Sequence, residues 1–324
     1  MKILGISAHY HDAAAALVVD GIPVCAVQEE RMSRHKNDAA FPLGAIEWCL
    51  DHAGLDPADL DAVVFYERSM RKFDRILTSA LRTFPRSWRS FPHAIRNSLG
   101  EKVWVRGIIS SYLGVPRSKI LFTGHHHSHA AAAFLTAPTR RAAILTADGV
   151  GEWATLTVGH GERRPGGGAH ITLLREVRYP HSLGMLYSTF TAYLGFAVNE
   201  DEYKVMGLAA YGRPTRTDAV RKLIRRTPDG AFALDMNYTY TQLARVLPKS
   251  YRRQVWQARA SRLWKRYLRV AAAVAGVLGA AILTIMYFVM LAPFAWLAKR
   301  AERREPVGWT PIAPQDNDSP TSQY

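Results

Sequence analysis

The chain has 324 residues and a formal net charge of +15, enough length for two domains or one domain with an appendage. Its two cysteines, Cys25 and Cys49, exclude a disulfide framework and read as reduced thiols of a cytosolic domain. A basic balance points first to nucleic acid, but no aromatic–basic recognition motif stands out, and the charge is densest after Pro248, where twelve Lys and Arg meet four Asp and Glu.

The opening, MKILGISAHYHDAAAALVV, does not read as a secretory signal, because its charged start is Lys2 alone and His9, His11 and Asp12 interrupt the apolar run. Lys2–Ser7 and Ala13–Val19 are predicted strands, and an Asp-Gly turn leads into a third, Val24–Gln28. Phe41–Ala53 has helical spacing. Leu60–Tyr66 is a short buried strand, and residues 68–115 are basic, aromatic and helical in pattern. Ile120–Thr123 is a strand that runs straight into GHHHSHAAAAF, and Ala142–Thr146 is a strand that ends at DGVGEWA. Leu156–Leu174 reads as a hairpin around ERRPGGG, followed by helical segments at Leu183–Phe196 and Ala219–Arg226. Strands and helices interleave, so the fold class is α/β.

Three polar constellations fall at strand ends or turns, where α/β sheets carry their active groups. The first is His11–Asp12, either a carboxylate orienting a proton acceptor or a turn-capping Asp. In the second, His125 and His129 are four apart and share one face of a helix, the spacing that lets two imidazoles hold one metal ion or simply forms a surface histidine cluster. The third is Asp148-Gly149-Val150-Gly151-Glu152, a backbone that approaches an anion closely or a plain hairpin turn. Further on, NEDEYKVMGLAAYG places Glu202, Tyr203, Lys204 and Gly207 together, with Lys204 either a phosphate contact or a surface ion pair.

The run Val270–Ala298 is 29 residues without a charge, the length and composition of a transmembrane helix. Eight Lys and Arg without an acid lie between Lys249 and Arg269, so the positive-inside rule puts the preceding part in the cytoplasm. Within that basic segment, RRQVWQARASRLWKRYLR has the pattern of an amphipathic helix that meets anionic lipid. The final PQDNDSPTSQY reads as disordered. The expected organisation is a domain over 1–248, a basic juxtamembrane segment over 249–269, a single span over 270–298 and a polar tail over 299–324.

Blocks spread in order over residues 1 to about 215 resemble one family, the O-carbamoyltransferases of nodulation-factor and antibiotic biosynthesis. They are ILGISAHYHDAAAALVVDG, QEERMSRHKNDAAFP, HHHSHAAAAF, DGVGEWAT, and PHSLGMLYSTFTAYLGF with EYKVMGLAAYG. The resemblance implies an actin/Hsp70-like (ribonuclease H-like) ATPase fold, close to enzymes that transfer threonylcarbamoyl to tRNA. It implies that His125 and His129 hold a divalent metal, commonly iron, beside a carbamoyl-adenylate made from carbamoyl phosphate and ATP. By the same match His11 and Asp12 fall near the reacting carbamoyl group, and the base is one of His11, Asp12 and His126. Asp148, Gly149, Gly151 and Glu152, with Tyr203, Lys204 and Gly207, are the expected nucleotide contacts. The acceptor is a hydroxyl, as on a sugar. Family members are longer and carry a second half with an adenosine site and a further acidic ligand. The expected partners are therefore carbamoyl phosphate, a hydroxyl acceptor, membrane lipid and a chain that completes the fold, with no nucleic acid. The contrasting reading is a catalytically incomplete, membrane-tethered scaffold that docks a full carbamoyltransferase.

Overall fold

Period-two burial governs the first half of the chain. In the computed structural model, which describes residues 1–84, 103–165, 167–236, 281–297 and 308–312, strand β1 (Lys2–Ser7) buries Leu4 and Ile6 and turns Gly5 and Ser7 to the other face. β2 (Ala14–Val19) and β3 (Ile22–Gln28) continue as an antiparallel meander, with the register Lys2↔Val19 to Ser7↔Ala14. β4 (Ala62–Phe65) and β5 (Ile120–Phe122) add on parallel, giving the order β3-β2-β1-β4-β5. One face packs Leu4, Leu17, Val63, Phe65 and Ile120 under helices α2 (Leu43–Ala53) and α4 (Val105–Leu113). The short helix α1 (Glu30–Ser33) precedes α2, and α3 (Ser69–Arg82) follows β4. No side chain caps α2 locally, since Pro42 stands at its start; the carboxylate of Glu29 instead accepts from Gly44 N at 3.2 Å and Ala45 N at 2.8 Å.

The other face of this sheet carries small residues, Gly5, Ser7, Ala14, Ala16 and Ala26. With so little side-chain volume on the face, the space between it and helix α5 (His125–Thr136) is a cavity of about 730 Å³, also lined by Tyr66, Thr123, Ser128 and Ala131.

A second sheet is antiparallel throughout. β6 (Arg141–Gly151), β7 (Ala154–Arg163) and β8 (Ala169–Arg178) form its body, and α5 packs on β6 through Ala130, Phe134 and Ile144. Helices α6 (Leu183–Tyr193), α7 (Glu202–Ala209) and α8 (Thr217–Arg221) follow. A hairpin of β9 (Ile224–Arg226) and β10 (Phe232–Leu234) packs Phe232 and Leu234 with Val177 and Leu186. Strand β11 (Thr310–Pro311) completes the sheet in the order β11-β8-β7-β6.

The mixed α/β class holds, and the differences in the elements have local causes. β6 does not end at Thr146 but continues to Gly151, re-pairing there with Ala154 after a shift in register. The helix expected over Ala219–Arg226 stops at Arg221, because the turn closed by Gly230 N on Thr227 O at 3.0 Å draws Ile224–Arg226 into a strand.

The expected membrane span is overturned. Residues 270–280 and 298 lie outside the described residues, and 281–297 form a helix. Among the described residues no helix is long and apolar enough to cross a membrane. Tyr287 is fully buried and its ring centroid lies 5.1 Å from that of Phe84, so the helix has a packed side. The single-pass placement with a cytoplasmic N-terminal part, and the span's place in the fold class, fall with it. The basic segment 249–269 lies outside the described residues, as does most of 299–324 apart from the residues around β11.

By contact, the chain divides into one unit of Met1–Phe73, Gly100–Leu234 and Pro306–Tyr324 and another of Asp74–Leu99 and Asp235–Glu305. Phe65 is 1% exposed and packs edge-on against Phe122 in the core of the first. Phe65→Ala is expected to cost about 3–5 kcal/mol of stability, read as a lower denaturant midpoint at an unchanged slope.

Candidate metal centre and adjoining cavity

Strand β5 feeds α5 through Thr123 and Gly124, and the first residue of the helix is His125. Gly124 offers no side-chain cap. The cap comes from afar: Glu152, in the turn between β6 and β7, accepts from His125 N at 3.2 Å and from Arg68 N at 2.9 Å. Burial raises the pKa of this carboxyl, while the two backbone donors work against the rise. Glu152, expected to contact nucleotide, thus fixes the start of α5 to the segment after β4.

Histidines 125 and 129 lie one helical turn apart, and Asp148 on β6 faces them. His125 Nε2 is 2.7 Å from Asp148 Oδ2 and 3.1 Å from His129 Nε2, and the remaining side of the triangle, His129 Nε2 to Asp148 Oδ2, is 3.9 Å. The point equidistant from the three atoms is about 2 Å from each, the bond length of imidazole and carboxylate ligands to a first-row divalent metal. Asp148 is aimed by its other oxygen, which accepts from Gly149 N at 2.6 Å. Two imidazoles and one carboxylate therefore fit a divalent cation in both chemistry and spacing.

The glycines of the D-G-x-G turn divide the work. A Cβ on Gly151 would stand 2.1 Å from Cδ2 of His125, so this glycine makes room for the imidazole. A Cβ on Gly149 would meet nothing within 4 Å. Behind the turn, Ser182 caps α6 by accepting from Met185 N at 3.0 Å and donates to Gly149 O at 2.5 Å.

A second carboxylate stands on the far edge of His125. Glu67 Oε2 is 3.4 Å from His125 Nδ1, and Lys72 Nζ reaches Glu67 Oε1 at 2.9 Å and Oε2 at 3.2 Å. Burial opposes every charge here, yet the partners prevail. Asp148 and Glu67 raise His125 to about 9, and His125 with Lys72 lowers Glu67 to about 2. Asp148 is also held well below the usual carboxylate range, against its burial, chiefly by His125. Burial and the charge of His125 lower the pKa of His129.

His126 is differently placed from its neighbours. It is 4% exposed, its Nε2 lies 2.9 Å from Ala154 O and its Nδ1 2.6 Å from Thr146 Oγ1. A carbonyl only accepts, so Nε2 carries the proton and Nδ1 accepts from Thr146, whose oxygen accepts in turn from Thr157 at 2.6 Å. Burial holds His126 down to about 4. Both ring nitrogens are occupied within the fold, leaving neither for a substrate.

His11 and Asp12 are partly exposed in the turn between β1 and β2, with His11 Nδ1 2.8 Å from Asp12 Oδ2. The neighbouring Tyr10 ring lies 5.4 Å from Lys72 Nζ, which joins this turn to Glu67 and His125. Tyr10 OH also donates to Asn199 Oδ1 at 2.9 Å, just before α7. On α7, Lys204 pairs with Asp201 at 2.6 Å at the surface and Tyr203 OH is 3.3 Å from Lys36 Nζ, while a Cβ on Gly207 would meet nothing within 4 Å. These three residues make none of the contacts found within the histidine cluster. The cavity does adjoin that cluster: Tyr66 lines it with its ring centroid 5.6 Å from that of His125, and Ser128, another lining residue, donates to Tyr66 O at 2.8 Å.

Residues 2–278 match the family described as Carbamoyltransferase N-terminus. The chain is 47% identical over 244 residues to an uncharacterised protein of Synechocystis sp., a match covering 73% of this chain and 39% of that one. It is 37% identical over 209 residues to the nodulation protein NolNO of Sinorhizobium fredii, covering 63% of this chain and 28% of that one. The chain therefore spans well under half the length of either relative. Among solved structures, YeaZ from Pseudomonas aeruginosa aligns at 16% identity over 53% of this chain and 68% of that one, with a TM-score of 0.27, too low to speak to a shared fold. With most of its length matched by the family description, the chain belongs to the carbamoyltransferase family, in that family's N-terminal part.

Proposed function

We propose that this chain carries the acyl-transfer centre of an O-carbamoyltransferase, which passes a carbamoyl group from carbamoyl-adenylate to a hydroxyl on a sugar or natural-product acceptor. The observation behind this reading is the convergence of His125 Nε2, His129 Nε2 and Asp148 Oδ2 beside a cavity of about 730 Å³. These three residues would hold a divalent metal, iron by resemblance to the family. Such a metal supplies Lewis-acid polarisation of a carbonyl when bound. In the transfer the acceptor oxygen attacks the carbamoyl carbon, the bond from that carbon to the phosphate oxygen breaks, and AMP leaves.

His11 is the proposed base. Its Nδ1 donates to Asp12 at 2.8 Å, which turns Nε2 into the free acceptor for the hydroxyl proton. His126 lacks such an acceptor, both of its ring nitrogens being bonded within the fold. Tyr203, Lys204 and Gly207 remain the proposed contacts for ATP, whose phosphates would compete with Asp201 for Lys204. Membrane lipid is not part of this proposal.

A second reading is a catalytically incomplete scaffold that docks a full carbamoyltransferase. The two separate in one assay on the purified full chain: AMP release from carbamoyl-adenylate dependent on a hydroxyl acceptor, with metal content measured on the same sample. Turnover with about one metal per chain supports the transferase. Metal without turnover supports the scaffold.

His129→Ala is expected to abolish stoichiometric metal binding while leaving circular dichroism unchanged, because the His129 side chain is half exposed and its loss opens no core cavity. Retention of full metal content would refute the ligand assignment. Gly151→Ala is expected to displace the His125 ring, costing about 1–3 kcal/mol of stability and weakening metal binding, as measured by denaturation and by metal titration.

A further inference from the structure

The metal reading above leaves one buried group without a task. Glu67 is 3% exposed, belongs to no expected ligand set, and was not singled out by any sequence motif. Its position is tightly determined. It lies two residues beyond Phe65, which pairs with Phe122 across β4 and β5, and Thr123 N donates to Phe65 O at 3.1 Å just before α5 begins. The parallel pairing thus brings the end of β4 level with the first residue of α5.

The two nitrogens of an imidazole point to opposite edges of the ring. On one edge of His125, Nε2 faces Asp148 Oδ2 and His129 Nε2. On the other, Nδ1 is buried and makes no hydrogen bond in the structure, and Glu67 Oε2, 3.4 Å away, is the carboxylate facing it. Glu67 is therefore not placed to share the metal with the other three. Lys72 donates to both of its oxygens, at 2.9 and 3.2 Å, which pairs the ionised carboxylate with a cation and fixes its plane.

We propose that Glu67 is the positioning residue of this centre: it takes the Nδ1–H of His125 and thereby commits Nε2 to the metal, while Lys72 keeps the carboxylate charged and in place. A metal-bound histidine generally needs such a partner on its other nitrogen, and removal of the partner typically weakens metal binding about 10–100-fold. Through Lys72 and the ring of Tyr10, the same carboxylate ties the histidine to the turn that bears His11 and Asp12.

The inference rests on the metal assignment, and the test separates the two. Co²⁺ and Zn²⁺ are titrated into the full-length chain, wild type and Glu67→Gln, following cobalt absorption and heat. The protonated nitrogen of His125 is read in the zinc-loaded wild type by long-range ¹H–¹⁵N correlation. The expected result is stoichiometric binding to the wild type with Nδ1 protonated, and an affinity about 10–100-fold lower in Glu67→Gln at an unchanged circular-dichroism spectrum. Should Glu67→Gln not fold, Glu67→Asp keeps the charge for Lys72 and withdraws the oxygen from Nδ1, and the same loss is expected of it. Equal affinity in wild type and folded variant would overturn the role of Glu67 while leaving the metal centre standing, and a wild-type His125 protonated on Nε2 would overturn both the role of Glu67 and the assignment of Nε2 as a ligand. Absence of binding to the wild type would overturn the metal assignment and the inference with it.

Discussion

One buried carboxylate holds the histidine helix in place. Glu152 accepts the backbone N–H of His125 and that of Arg68, so a single side chain joins the turn between β6 and β7, the first residue of α5 and the segment after β4. These three pieces come from both sheets, and each brings one part of the cluster: Asp148 from β6, the histidines from α5, Glu67 from the end of β4. The N–H of His125, the first donor of α5, is thereby used internally.

Around that anchor the chemistry is graded by burial. His125, nearly enclosed between two acids, is pushed toward the charged form; His126, enclosed among hydroxyls and a carbonyl, is pushed toward the neutral one. His129, half exposed, is the member of the row that meets solvent. Consecutive residues of one short motif thus acquire separate tasks because a helix points each about 100° from the last. His125 and His129 face Asp148, His126 faces Thr146, and Ser128 faces the cavity and the backbone of Tyr66.

Much of this was legible in the sequence where the signal is local. Short apolar runs bounded by turns gave β1, β2 and β4, and the four-residue interval gave the paired histidines of α5. What local spacing could not reveal depends on strands remote in sequence. Asp148 and Gly151 looked like parts of a phosphate turn, and only the approach of α5 to β6 shows the one facing His125 and the other leaving room for its ring. Glu67 carried no signal at all, being an ordinary acid in FYERSM until the parallel pairing of β4 and β5 sets it beside Nδ1. His126 resembled its neighbours in type but not in surroundings. The apolar run after residue 269 misled for the opposite reason: composition was uniform, while the described helix within it has a buried side at Tyr287 and Ala295.

The return of the chain at β11 has a practical side. Thr310–Pro311 pairs with Arg175–Glu176 on β8, Ile312 N donates to Leu174 O at 3.1 Å, and Trp309 N donates to Asp229 Oδ2 at 2.8 Å. The stretch Leu174–Glu176 of the outer strand of the second sheet is therefore covered by residues that lie more than seventy positions beyond β10. A shortened version ending after β10 would keep every group of the histidine cluster and still bare the backbone donors and acceptors of β8. Such an open edge recruits strands from other molecules. Expression trials that trim the chain to its best-patterned portion would select, through this one short pairing, for precipitation rather than for crystals.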